Sequence, residues 1–116
     1  MSSNSFGKLN DWLEGVEVRS IRQVISRVRD LELDNEKRSV KLIRKWELPI
    51  DIREYTQKAN AYVAFYNWMY HTRRWCSVKN SPIKNPAVYK HMPTTFRVNH
   101  KVLSKKHRRL FEQAGI

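Results

Sequence analysis

Between Phe65 and Cys76 the chain reads FYNWMYHTRRWC, and this segment narrows the fold more than any other. It ends a long run without breakers that Asp51 can cap, which predicts a helix from Ile52 to about Trp75. Ile52, Tyr55, Ala59, Tyr62, Tyr66 and Met69 follow a 3-4-3-4-3 spacing that keeps them on one face. Successive helical residues step by about 100°. Phe65, Tyr66, Trp68, Met69, Tyr70, Trp75 and Cys76 therefore cover well over half of the circumference, and Asn67, His71 and Arg74 share a narrow polar strip. A helix apolar on most sides belongs at the centre of a bundle or at an oligomer interface. Most of these aromatics are core by that argument, and Tyr70 and Trp75 are the candidates for exposed rings that stack on bases.

The rest of the chain supplies partners for that helix. Before Pro49 the only breakers are Gly7 and Gly15, which favours helices. A first helix is predicted from Asn4 or Ser5 to Glu14, with Phe6, Leu9, Trp12 and Leu13 on one side and Gly15 as its stop. A second is predicted from about Val16 to Leu33 on the stripe Val18, Ile21, Val24, Ile25, Val28 and Leu31. Asp34 and Asn35 have the chemistry of a cap opening a third helix, Glu36 to Glu47, which Pro49 ends. Beyond Cys76, Pro82, Pro86 and Pro93 mark an ordered connection. Phe96, Val98 and Val102 sit at even spacing and predict a short β element near residues 94–103. Ser104 then caps a last helix, Lys105 to Ala114, closed by Gly115. The fold class is mainly α: a compact bundle of four to five helices forming a single domain over residues 1–116.

Charge divides this domain. Residues 1–70 hold 12 Lys/Arg against 10 Asp/Glu, whereas residues 71–116 hold 11 against the single acid Glu112. A near-neutral half joined to a strongly basic one is the footprint of a polyanion binder. Two basic clusters stand out. On the predicted third helix, Lys37, Arg38, Lys41, Arg44 and Lys45 fall within about 120° with no acid among them, opposite Leu42, Ile43 and Trp46. Like charges one turn apart cost a helix roughly 0.2–0.5 kcal/mol each, so such a face makes most sense if it meets anions. The second cluster is Lys101, Lys105, Lys106, Arg108 and Arg109, with His107, around the start of the last helix. Cations there oppose the helix dipole, and an anion would relieve the conflict. Arg73 and Arg74 add two forked phosphate donors at the end of the aromatic helix.

Motifs of catalysis are missing. There is no glycine-rich phosphate loop and no Cys-x-x-Cys pair, and the spacing of His71, Cys76, His91 and His100 matches no common zinc site. The acids lie mostly between residues 11 and 54, away from the basic half, which disfavours a metal-dependent nuclease. The stretch AFYNWMYHTRRWCSVKNSPIKNPAVYKH resembles the end of the catalytic domain in insertion-sequence transposases, with its Phe-Tyr-Asn, arginines and Ser-Pro ahead of a Tyr. The resemblance covers under a quarter of the chain and lacks that family's catalytic acids, so no residue role follows from it.

The sequence thus predicts a non-enzymatic nucleic-acid-binding protein, with no catalytic residue, metal or cofactor. DNA is slightly favoured over RNA because no RNA-module motif is present. The alternative is a small protein-binding inhibitor or adaptor of a nucleic-acid-processing machine, of the kind phages and plasmids encode. The lone Cys76 fits a reducing, cytoplasmic setting, nucleoid and nucleus included, and no apolar run approaches the roughly 20 residues of a membrane span.

Overall fold

The computed structural model describes residues 4–116. Five helices follow one another: α1 (Ser5–Leu13), α2 (Ile21–Lys45), α3 (Ile52–Thr72), α4 (Pro86–Tyr89) and α5 (Lys105–Ala114). Helix α3 is the hub, packing against α2, α4 and α5, while α1 lies on α2.

The caps explain most boundaries. The side chain of Asn4 accepts from the Gly7 amide at 2.7 Å and starts α1. Gly15, at φ 97°, turns the chain away after it. Asp51 accepts from the amides of Arg53 and Glu54 and starts α3. Ser104 accepts from the His107 amide, and Gly115 at φ 70° closes α5. Helix α3 ends at Thr72, three residues short of the predicted Trp75, because Arg73 turns into the left-handed region at φ 51°.

Two predicted helices are one. Residues 21–45 run unbroken, correcting both the expected end at Leu33 and the expected cap at Asp34–Asn35. Asp34 instead pairs with Arg38 one turn on, at 3.1 Å, and the Asn35 carbonyl accepts from the Ser39 hydroxyl. The stripe that holds α2 to α3 continues through polar residues. Buried Ile25 and Arg29 give way to half-buried Glu32 and Glu36, then to buried Val40 and Ile43. Glu32 is raised above its usual pKa by burial and by the charge of Glu36, and Tyr55 of α3 is raised by burial and its hydrogen bond to Glu36. The start also moves, from Val16 to Ile21, with no strand in VEVRSI. At the far end α2 outruns the core, leaving Leu42 and Trp46 53% and 65% exposed rather than packed.

Helix α3 is buried as its composition requires. Ala59, Ala61, Val63, Ala64, Phe65, Tyr66, Trp68 and Met69 are all in the core, joined by Val28, Val88 and Phe111. Each fully buried large side chain contributes roughly 1.5–3 kcal/mol. The indole Nε1 of Trp68 donates to the Ile116 carbonyl at 2.7 Å and fixes the C-terminal end.

The expected strand over 94–103 is absent, and no residue among those described is in a strand. A strand needs a partner edge, and here the partners are side-chain amides of α3. Nδ2 of Asn60 donates to the Pro93 and Thr95 carbonyls, each at 2.9 Å, and Nδ2 of Asn67 donates to the His100 carbonyl at 2.9 Å. Gln57 holds the Lys90 and Met92 carbonyls in the same manner. The segment is laid along α3 as a run of turns, with its carbonyls satisfied one by one.

Candidate nucleic-acid interface

The continuity of α2 decides where the cations lie. Stepping by 100° along a single helix places Arg22, Arg29, Lys37 and Arg44 within about 80°, with Ser26 inside the same arc and Lys41 about 40° beyond it. The 94–103 segment faces this stripe. Phe96 borders a groove of about 300 Å³ with Lys37, Arg38, Val40, Lys41, Arg44 and Asp34. Further along, Lys101 and Leu103 border a second pocket of about 280 Å³ with Arg22, Ser26, Arg29, Asn67, Tyr70 and His71. His100 sits between the two: burial foremost, then the charges of Lys37 and Arg29, holds its pKa below the ordinary value. One positive seam therefore runs between α2 and the 94–103 segment.

The predicted residues divide between this seam and other tasks. Lys37, Lys41, Arg44, Lys45, Arg74, Lys101, Lys105, Lys106 and Arg109 are exposed, and none makes an ion pair with a carboxylate among the described residues. Lys45 lies at the end of α2, its ammonium 5.4 Å from the Trp46 ring. Arg38 and Arg108 pair with Asp34 and Glu112 one turn away, and all four side chains are more than half exposed. Exposed pairs of this kind contribute little, about 0–1 kcal/mol, and open readily to another anion. Lys105 and Lys106 open α5 just beyond the seam, where His107 is held below its ordinary pKa by burial and by Lys106.

Arg73 leaves the set. Its Nε donates to the Trp12 carbonyl at 2.8 Å and Nη2 to the Val16 carbonyl at 3.1 Å, while its guanidinium lies 5.0 Å from the Trp12 ring. It ties the end of α3 to the end of α1 and cannot reach outward without undoing that contact. Tyr70 is engaged as well, with Trp12 parallel to its ring, Arg22 4.6 Å above it and His71 at its edge. Trp75 is 46% exposed, but its ring packs edge-on against Tyr62, Phe65 and Tyr66.

Arg22, Ser26 and Arg29 were not among the expected contacts, although the i, i+4, i+7 spacing was readable. Splitting the helix at Asp34 cut the stripe in two, and Asp30 made the first part look like an ordinary surface of mixed sign. Burial raises the pKa of the Cys76 thiol, keeping it protonated and a poor nucleophile. No group of three or more His, Cys, Asp or Glu that could hold a metal ion occurs among the described residues, nor is any helix among them long and apolar enough to cross a membrane. No protein-family model, curated protein or solved structure matches the chain.

Proposed function

We propose that the protein binds nucleic acid, without catalysing a reaction on it, by laying the cationic seam of α2 along a phosphate backbone. The observation that carries this reading is the run Arg22, Arg29, Lys37, Lys41, Arg44 on one side of one helix, in which only Arg29 is ion-paired among the described residues. From Arg22 to Arg44 the helix rises about 33 Å, close to one turn of B-DNA. Exposed Arg97 and Lys101 stand on the facing segment, and Lys105, Lys106 and Arg109 extend the positive surface onto α5. Contacts of this kind position a duplex without reading its sequence. DNA is favoured over RNA only weakly, through the lack of RNA-module motifs. Gel-shift or anisotropy titration with duplex and single-stranded oligonucleotides tests the proposal: binding in moderate salt supports it, and none at low salt refutes it.

A second reading has its own observation. Leu42, Trp46, Leu48 and Ile50 are all more than two-fifths exposed at the α2–α3 turn, an apolar tip suited to a protein partner. An inhibitor or adaptor of a nucleic-acid machine would use it. Pull-down with and without nuclease treatment separates the two, since a protein partner survives the nuclease and a nucleic-acid bridge does not.

A further inference from the structure

The pocket between the first half of α2, the end of α3 and Lys101 has a more specific character than the open seam. Arg29 forms part of its wall at only 5% exposure. Its Nε pairs with Asp30 at 3.1 Å and its Nη1 donates to Oδ1 of Asn67 at 3.0 Å, leaving Nη2 without an acceptor among the described residues. Asn67 is itself held by the His100 carbonyl, so the guanidinium is locked in place before any ligand arrives. Arg22 is oriented across the Tyr70 ring. Among the described residues Arg22 and Lys101 have no carboxylate partner, and His71 stands beside them. Three cations, two of them held in place, thus stand against one carboxylate, Asp30, itself half exposed on the flank of Arg29. Burying Arg29 beside two further cations is unfavourable unless an anion completes the site.

The excess is about two positive charges, and that number selects the ligand. An internal phosphodiester carries one negative charge. A phosphomonoester carries about 1.5 to 2 near neutral pH, with three strong acceptor oxygens. Arg22 can fork onto those oxygens and Arg29 can offer its Nη2, while Lys101 and the Ser26 hydroxyl complete the shell. A volume of about 280 Å³ also exceeds a bare phosphate and leaves room for the sugar that bears it. We propose that this pocket is a phosphomonoester site, taking the terminal phosphate of a nucleic-acid strand or of a free mononucleotide. A strand end as the natural source rests on the proposed function above; the pocket's preference for the dianion does not.

The test has two arms. In the first, the intact protein is titrated with adenosine 5′-monophosphate, inorganic phosphate and adenosine, and the Nε–H signals of Arg22 and Arg29 are followed in proton–nitrogen correlation spectra. Saturable shifts with the two phosphates and none with adenosine are expected. They should be lost in Arg22→Gln/Lys101→Gln, two exposed positions, with the spectrum outside the pocket unchanged. Absence of any saturable shift with the monophosphate overturns the site. In the second arm, short single strands with 5′-phosphate, 3′-phosphate or hydroxyl ends are compared by anisotropy. A gain of about tenfold for one phosphorylated end, the worth of one good charge-assisted contact, identifies a strand end as the source. Shifts with the monophosphate but equal affinity for all three strands identify a free nucleotide. If no strand binds while the monophosphate does, the proposed function fails and the pocket stands. If strands bind but the monophosphate causes no shift, the reverse holds.

Discussion

The Nε2 of His100 lies 2.8 Å from Oδ1 of Asn60. Because Nδ2 of Asn60 already donates to the Pro93 and Thr95 carbonyls, Oδ1 is the acceptor and His100 donates from Nε2. One buried amide, 2% exposed, therefore fastens three points of the 93–100 segment to α3. Replacing it removes three hydrogen bonds and strands two carbonyls. Asn60→Ala is expected to cost about 2–4 kcal/mol in urea unfolding, with hydrogen exchange accelerated along residues 93–100. An unchanged urea midpoint would contradict this account of the segment.

Acid should loosen the same region. His100 and His107 both have folded-state pKa values below the ordinary 6.5, with burial as the largest cause and neighbouring cations next. Below about 6.5 the unfolded chain then binds protons that the folded chain refuses, so stability present above that pH is lost as pH falls through the folded values. Unfolding midpoints measured between pH 7.5 and 5 should decline. In His100→Gln, which retains an amide donor but cannot titrate, the decline should be shallower. An equal decline in that variant would remove His100 from the explanation.

Arg73 and Arg74 are adjacent in sequence and opposite in role. Arg73 bonds the carbonyls of Trp12 and Val16, whereas Arg74 is exposed. Arg73→Ala is expected to cost about 2 kcal/mol of stability, leaving the salt dependence of nucleic-acid binding unchanged. Arg74→Gln should leave stability within about 0.5 kcal/mol and weaken binding. Titration of both variants by denaturant and by oligonucleotide checks the pair, and a reversed pattern would contradict the assignment.

The unbroken α2 can be tested at Glu36. If a helix began there, proline would be tolerated as its first residue. Within a continuous helix Glu36→Pro removes a backbone bond and clashes with the preceding turn, at about 3 kcal/mol or more. Comparison with Glu36→Gln, which keeps the helix and removes only the charge, isolates the backbone effect. Equal stability of the two variants would favour a break at Asp34.

What could be read from the chain was whatever depended on neighbours in sequence. Asp51, Ser104, Gly15 and Gly115 act locally, and the helix ends they imply are observed. The centrality of α3 followed from the breadth of its own apolar surface. What failed depended on distant residues. Asp34 and Asn35 have cap chemistry, but half-buried Glu32 and Glu36 continue the α2–α3 contact in polar guise. Phe96, Val98 and Val102 alternate like a strand, but their segment is bonded by amides more than thirty residues away. Arg73 looks like any basic residue until its carbonyl partners, some sixty residues earlier, are seen. The basic seam was half legible: the second half of α2 was recognised, and Arg22 and Arg29 were lost with the helix that joins them to it.

The central claim, that the α2 seam neutralises backbone phosphates, is tested most directly by the salt dependence of duplex DNA affinity. The intact protein and Lys37→Gln/Lys41→Gln/Arg44→Gln are compared over the same salt range, with circular dichroism confirming that these exposed replacements preserve the helices. Each lost phosphate contact should reduce the log–log slope by about 0.9, so the triple variant should bind more weakly with a slope shallower by about 2.7. Equal slopes in the two proteins, or an affinity indifferent to salt, would contradict the account.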